Sequence, residues 1–289
     1  MTAKRETAIR LINDMVAGEN AQDYDRMYSI YGPELVFYLN GDVGFAGKTS
    51  VMRDWERLNT PVIYGKTLRE VQWMEANDSR VAFQYITEFD HLGEIFGVPA
   101  PGNRIQMHGL GIAEHDGEHV TVLRLFADVG DGIRQLAGKV RPPGTSSAAP
   151  QGPPIPEHER ARYEEAGERL IRTVYASENE GDIEKQLACY ADPLLDHFAG
   201  NVMTSSRALL RAALPAWWES LPGHHRDVEE VLVFGDRAVL RWHLTTDDID
   251  GKPVSQHGAS VIEHDGTQIR RFWAYYPDVA QVFPAIVDR

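Results

Sequence analysis

Apolar residues in the first part of the chain recur with the period of a helix. Residues three or four positions apart share one face of an opening helix: Ile9, Ile12, Met15 and Val16. Asp23 is placed to cap a second helix, which Pro33 would end. The pattern then predicts a short strand over residues 35–40. A third helix, capped by Thr49, is predicted to follow.

Strand-like alternation takes over after the third helix. The predicted strands of the first half span residues 68–75, 80–89, 104–114 and 120–128. The same order of elements returns near the end of the chain, where Asp182 and Ser206 are placed to cap helices. The predicted strands of this second half span residues 194–198, 228–234, 237–245, 254–263 and 269–276.

The two halves also match residue by residue over one segment. Residues 107–117 align without gaps to residues 256–266. Both segments contain His-Gly followed, at the same spacing, by Glu-His-Asp-Gly. Chance is a poor explanation for so long a match, so the sequence indicates an internal duplication.

A proline-rich segment separates the halves. It contains six prolines: Pro142, Pro143, Pro150, Pro153, Pro154 and Pro156. Such a segment neither propagates a helix nor joins a sheet, so it is typical of an extended tether. We therefore predict an α+β protein with domains at residues 1–140 and 157–289 and a linker at residues 141–156.

Composition narrows the classes of partner. The 29 Lys and Arg residues against 43 Asp and Glu give a formal charge of −14, which argues against nucleic-acid binding. No apolar run reaches 18 residues, so we expect no membrane span. The N-terminal residues lack the apolar stretch of a signal peptide. Cys189 is the only cysteine, so no intrachain disulfide forms and a cytoplasmic location is expected.

One loop resembles a known family. Residues 91–103, His-Leu-Gly-Glu-Ile-Phe-Gly-Val-Pro-Ala-Pro-Gly-Asn, are similar to the strand-end segment of SnoaL-like polyketide cyclases. Gly47-Lys48 and Phe126-Ala127-Asp128 fit the same family, and together these features cover most of residues 1–140. The second half resembles it only in outline. The resemblance implies two NTF2-like cones in tandem, each a curved antiparallel sheet wrapped around three helices to enclose a pocket.

The resemblance also implies a chemistry. The family carries out cofactor-free proton transfer on hydrophobic, aromatic or polycyclic small molecules, as a cyclase, isomerase or lyase. The chain has no metal-binding Cys/His spacing and no phosphate loop, so no cofactor is expected. The alternative function is a non-catalytic carrier that binds such a molecule in the same pocket.

Asp128 holds the position of the family's acid/base aspartate and is the first catalytic candidate. Gln106 and His108 alternate on one predicted strand, so both point to the same face. In the family that face lines the pocket, which makes His108 a second catalytic candidate and Gln106 a substrate-binding one. A core histidine or a solvated pair would explain these two residues equally well.

Further candidates come from the pocket expected in each half. The remaining substrate-binding candidates of the first half are Asn40, Tyr28, Trp55 and His91. Asn40 equally suits a turn, and the aromatic residues equally suit a core. In the second half Tyr275 is expected opposite Asp128, and a histidine-rich second pocket would comprise His197, His243, His257 and Tyr275. Structural histidines are the alternative there.

The expected partners follow from these features. The ligand is a hydrophobic small molecule, with neither nucleic acid nor membrane as partner. The two repeats are expected to pair through their sheets as an intramolecular pseudo-dimer, which would bury sheet surface that one copy exposes. A homo-oligomer is an open alternative.

Overall fold

A computed structural model describes most of the chain. The described residues are 2–52, 65–94, 99, 102–127, 132, 134–135, 155–198, 201–247 and 253–276. The chain divides into two compact units, Met1–Ala148 and Ala149–Arg289. Asp128, Trp55 and residues 141–154 of the predicted linker lie outside the described residues.

The first unit contains two described helices followed by six strands. Its elements are α1 Ala3–Ala21, α2 Tyr24–Ser29, β1 Tyr31–Leu39, β2 Asp42–Ala46, β3 Leu68–Ala76, β4 Arg80–Asp90, β5 Arg104–His115 and β6 Val120–Ala127. A further helix begins at residues 48–52. Thr49 therefore lies inside the first turn of that helix instead of capping it.

The second unit repeats this order. Its elements are α3 Glu157–Glu180, α4 Ile183–Ala188, β7 Tyr190–Phe198, β8 Asn201–Ser205, α5 Arg207–Glu219, β9 His225–Phe234, β10 Arg237–Thr245, β11 Ser255–His264 and β12 Ile269–Tyr275. The long strands begin and end within a few residues of their predicted limits. The short hairpin strands β2 and β8 were not predicted.

The two sheets have the same topology. The strand order is β2-β1-β6-β5-β4-β3 in the first unit and β8-β7-β12-β11-β10-β9 in the second. The pairs β1–β6 and β7–β12 are parallel, and the other neighbouring strands are antiparallel. In each sheet the first strand of the unit therefore pairs with the last strand.

Side-chain caps fix the helix starts that the sequence predicts. Asp23 accepts a hydrogen bond from the backbone N–H of Arg26 at 3.1 Å, and Asp182 accepts one from Lys185 at 3.0 Å. Each cap satisfies a backbone donor that the first turn leaves unpaired. Asp23 and Asp182 are therefore equivalent positions, and counting from them identifies equivalent residues of the two units.

Each sheet has one face turned toward its long helix, which we call the inner face. In the first unit Phe83 and Leu125 on this face form a core with Ile12 of α1. In the second unit Leu240 and Ile262 form the corresponding core with residues of α3. Because alternate residues of a strand point to opposite faces, the inner face comprises odd-numbered residues of β5 and β6 and even-numbered residues of β10, β11 and β12.

A side chain completes one strand edge. Among the described residues, strand β6 pairs with β5 as far as Gly109, and Gln106 lies beyond this pairing. The amide of Gln135 occupies this edge: its Oε1 accepts from the Gln106 N–H at 3.0 Å and its Nε2 donates to the Gln106 carbonyl at 2.7 Å. The two bonds replace those that a neighbouring strand would form.

Candidate functional site

The described part of the second unit contains a partly open cavity of about 210 Å³. It lies between the inner face of the sheet and helices α3, α4 and α5. Its apolar wall includes Val174, Leu194, Leu210, Leu214, Trp217 and Phe272. Its polar wall includes Glu178, Gln186, Tyr190, Asp196, Arg226 and Tyr276. An apolar cavity with a few convergent polar groups is the usual form of a small-molecule site.

Asp196 brings a carboxyl group to this cavity. It lies on β7, where it pairs with Phe272 of β12, and its side chain is half-buried at the cavity wall. Among the described residues, none donates a hydrogen bond to this carboxylate. Burial raises the pKa of Asp196 from 3.8 to about 6, because the anion loses its hydration. A carboxyl group with this pKa can both take up and release a proton near neutral pH.

A buried ion pair also lines the cavity. Arg226 Nε donates to Glu178 Oε1 at 2.9 Å, and Arg226 Nη2 donates to the Tyr276 hydroxyl at 3.2 Å. The guanidinium also lies 4.3 Å from the ring centroid of Trp242. Burial acts to lower the pKa of Arg226, but the Glu178 carboxylate, Tyr276 and Tyr175 together outweigh burial and hold that pKa above its ordinary value. Arg226 therefore stays charged.

The first unit contains the same ion pair. Arg69 Nε lies 2.8 Å from Glu19 Oε2, and the guanidinium lies 4.3 Å from the ring centroid of Tyr85. The residue after each glutamate binds the arginine backbone, Asn20 to Arg69 and Asn179 to Arg226. Since both units build this arrangement, it belongs to the framework of the fold. It does not distinguish the cavity of the second unit.

The carboxyl group, in contrast, occurs in one unit only. Asp196 pairs with Phe272, which pairs with Ile262. In the first unit Phe37 pairs with Leu123, which pairs with Ala113, and Ala113 is the residue aligned with Ile262. Phe37 therefore occupies the position of Asp196, and it is buried in the core. The fold accepts a phenylalanine here, so the aspartate is a property of the second unit.

The register of β5 corrects the expected placement of Gln106 and His108. His108 pairs with Ile86, one residue away from the inner-face pair of Gly109 and Tyr85. Both even-numbered residues consequently lie on the outer face and do not line the cone. Gln106 Nε2 donates to Glu88 Oε1 at 2.9 Å.

The other described candidates of the first unit lie in a turn or in buried positions. Asn40 adopts a left-handed conformation with φ of 52°, and its Oδ1 accepts from the N–H of Ala127 at 2.9 Å. Tyr28 is buried in the core, where its hydroxyl donates to the carbonyl of Met52 at 3.0 Å. His91 is fully buried instead of lying at a pocket mouth. The first unit thus uses these residues to shape a turn and a core.

The histidine-rich pocket expected in the second unit is also corrected. His243 and His257 form a cross-strand pair with ring centroids 4.3 Å apart, and His197 stacks on Trp273 at 4.7 Å. All three histidines lie on the outer face, because their strand neighbours occupy the inner one. His257 Nδ1 lies 3.0 Å from Glu229 Oε1.

Tyr275 also lies on the outer face and does not correspond to Asp128. It pairs with Ala259, the residue aligned with Leu110, and Leu110 pairs with Phe126. Phe126 is therefore the counterpart of Tyr275 in the first unit. The four residues of the expected second pocket do not line the cavity.

Sequence reasoning missed Asp196 and the two buried ion pairs. Asp196 directly precedes His197, and a shift of one residue along a strand exchanges the two faces. A signal for the ion pairs is present in the sequence, since Glu19-Asn20 and Glu178-Asn179 each stand four residues before the capping aspartate of the next helix. This repeated Glu-Asn spacing marks the glutamate of each pair but does not identify its arginine.

Two kinds of feature are absent from the residues that the structure describes. In that part of the chain no group of three or more His, Cys, Asp or Glu residues is arranged to hold a metal ion. None of the helices in the described ranges combines the length and apolarity needed to cross a membrane.

Part of the second unit is similar to a known protein family. No curated protein matches the chain. A candidate polyketide cyclase from Xanthomonas campestris is 18% identical, over 46% of this chain and 98% of that one, with a TM-score of 0.43. An epoxide hydrolase of Mycobacterium tuberculosis is 20% identical, over 47% of this chain and 92% of that one, with a TM-score of 0.39. Residues 171–272, which include Asp196, match the SnoaL-like domain family, whereas the loop resembling that family lies in the first unit.

Proposed function

We propose that the second unit is a cofactor-independent enzyme that acts on a hydrophobic small molecule by proton transfer, as a cyclase, isomerase or lyase. The observation that supports this most is the carboxyl group of Asp196 at the cavity wall, which has a pKa of about 6 and accepts no hydrogen bond from the described residues. The match of residues 171–272 to the SnoaL-like family also supports it. A cavity of about 210 Å³ lies below the ~300–1,000 Å³ of common ligand sites, which favours a compact substrate.

In the proposed mechanism Asp196 removes a proton from a carbon next to a substrate carbonyl. The proton then returns to another atom of the same molecule, so no co-reactant is required. Tyr276 is suited to donate to the developing enolate oxygen, because burial raises its pKa and keeps the hydroxyl protonated. The hydrogen bond from Arg226 Nη2 to the Tyr276 oxygen makes the hydroxyl a stronger donor.

In this proposal the first unit is a related copy of the second unit that does not carry out the reaction. The shared strand order, helix caps and Glu-Asn-Arg framework support a tandem duplication of one ancestral domain. With Phe37 at the position of Asp196, the first unit lacks the proposed acid/base group. The sequence-based prediction for Asp128 stays a rival, since that residue lies outside the described ranges.

A carrier function is the second candidate, supported by the apolar wall of the cavity. Both functions require the ligand to bind, but only the enzyme moves protons. A carrier could dispense with a carboxyl group, and placing one in an apolar wall without a partner costs stability. The carboxyl group therefore favours the enzyme.

Hydrogen–deuterium exchange tests the proposal without knowledge of the natural reaction. We expect the full chain to catalyse exchange of the α-protons of 1-tetralone in D₂O, followed by ¹H NMR. The rate should rise as pH increases through about 6 and level off above it, because the ionised form of Asp196 is the base. If 1-tetralone binds but exchanges no faster than in buffer at any pH, the carrier function replaces the enzyme.

A further inference from the structure

Gln186 is another polar residue of the cavity wall, and its hydrogen bonding is incomplete. It lies on α4, is 3% exposed and borders the cavity. Its Nε2 donates to the Tyr190 hydroxyl at a long distance of 3.4 Å. Within the described ranges its Oε1 accepts no hydrogen bond. A buried polar group without a partner is unfavourable, and native proteins contain few of them.

Exchanging the oxygen and nitrogen of the Gln186 amide does not remove the missing hydrogen bond. In the opposite orientation Oε1 would accept from Tyr190, and the NH₂ group would take the place of the unpaired oxygen. Either orientation leaves one polar end of Gln186 without a protein partner. Gln186 lines the cavity, so a ligand bound there can supply the missing partner.

The fold itself does not require a polar residue here. Met27 of α2 stands four residues after Asp23, as Gln186 stands four residues after Asp182, and both backbones close the same turn. Met27 is 2% exposed and packs in the core of the first unit. An apolar side chain therefore also satisfies the packing at this position.

We propose that Gln186 hydrogen-bonds a hydroxyl group of the ligand, so that the substrate is a hydroxylated hydrophobic ring compound. A hydroxyl both donates and accepts, so it satisfies the free end of Gln186 in either amide orientation. This inference rests on the proposed use of the cavity and names the chemical class that it takes. Gln186 acts in it as a specificity residue, whereas Asp196 performs the proton transfer.

Binding of 2-naphthol and naphthalene to the full chain measures this recognition. Calorimetric titration at pH 7.5 should show that 2-naphthol binds about tenfold more tightly, the effect of one buried hydrogen bond. Gln186→Met should reduce the preference to about one while leaving the affinity for naphthalene within about twofold. Gln186→Leu provides a second apolar variant, and Met27→Gln in the first unit is the matched control that should change neither affinity.

The outcomes separate this proposal from the proposed function. Asp196→Asn should retain the preference for 2-naphthol while losing proton exchange with 1-tetralone. The assignment of Gln186 is overturned if the wild type shows no preference, or if folded Gln186→Met and Gln186→Leu proteins both keep it. It is equally overturned if the preference disappears only in Asp196→Asn, because the carboxylate then recognises the hydroxyl. Absence of exchange with an intact preference contradicts the enzyme alone.

Discussion

Replacing Asp196 by asparagine is expected to lower the rate of α-proton exchange by roughly 10²–10⁴-fold. Asparagine keeps the shape of the side chain but cannot accept a proton from carbon. Binding of 1-tetralone should change far less than the rate, because the apolar wall is unaltered. Rates measured by NMR at saturating ketone, together with a dissociation constant, distinguish a catalytic loss from a binding loss.

The same substitution should stabilise the second unit, with a defined pH dependence. The pKa of Asp196 is raised from 3.8 to about 6 in the folded protein, so folding disfavours the ionised form. Its unfavourable contribution is absent below about pH 4, grows between about pH 4 and 6, and is complete above that range. The gain from Asp196→Asn should therefore be near zero at about pH 4 and at most about 3 kcal/mol at pH 8. Urea unfolding at the two pH values measures it.

Asp128→Asn is the matched control for Asp196→Asn. If the cavity of the second unit is the active site, Asp128→Asn should exchange 1-tetralone at nearly the wild-type rate. The opposite result, in which Asp128→Asn loses exchange and Asp196→Asn keeps it, would assign the chemistry to the first unit. A thermal melt of both variants establishes that each comparison is made between folded proteins.

Removing one member of a buried ion pair should have the largest effect on stability. Arg226→Met leaves the Glu178 carboxylate, which is 4% exposed, without a counter-charge. Loss of one partner of a buried pair costs about 3–5 kcal/mol, because the remaining charge stays desolvated. The second unit should therefore unfold at a lower urea concentration, as followed by tryptophan fluorescence. The double variant Arg226→Met/Glu178→Met should recover much of the loss.

Arg69→Met gives the corresponding measurement in the first unit. Because Glu19 and Arg69 reproduce the buried pair, we expect destabilisation of similar size, confined to the first unit. Exchange of 1-tetralone should persist in the Arg69 variant, since the proposed site lies in the other unit. An Arg226→Met protein as stable as the wild type would contradict a framework role for the pair.

Much of the fold could be predicted from sequence because its signals are local. Asp23 and Asp182 cap the helices that their spacing predicts, and the alternation of apolar residues locates the long strands. The prediction was wrong at Pro33, which lies within β1 and does not end a helix, since α2 already ends at Ser29. Proline is tolerated in the first residues of a strand near the edge of a sheet. The local sequence pattern does not distinguish such a strand start from the end of a helix.

The candidate site was harder to predict because it depends on register and on distant pairing. His197 and Asp196 are adjacent, and only the pairing of β7 with β12 determines which of them faces the cavity. Arg226 and Glu178 lie 48 residues apart, beyond any periodicity of a single element. The missing information was tertiary: which strand residue faces inward, and which buried charges meet.

The amide of Gln135 that closes the edge of β5 has a consequence for self-association. Without it, the N–H and carbonyl of Gln106 would lose the partners that they have among the described residues, and an unpaired stretch of strand is one to which another chain can add by backbone pairing. A side chain satisfies the same donor and acceptor but offers no further edge, so strand addition stops there. A single glutamine thus protects the protein against edge-to-edge aggregation at this point of the sheet.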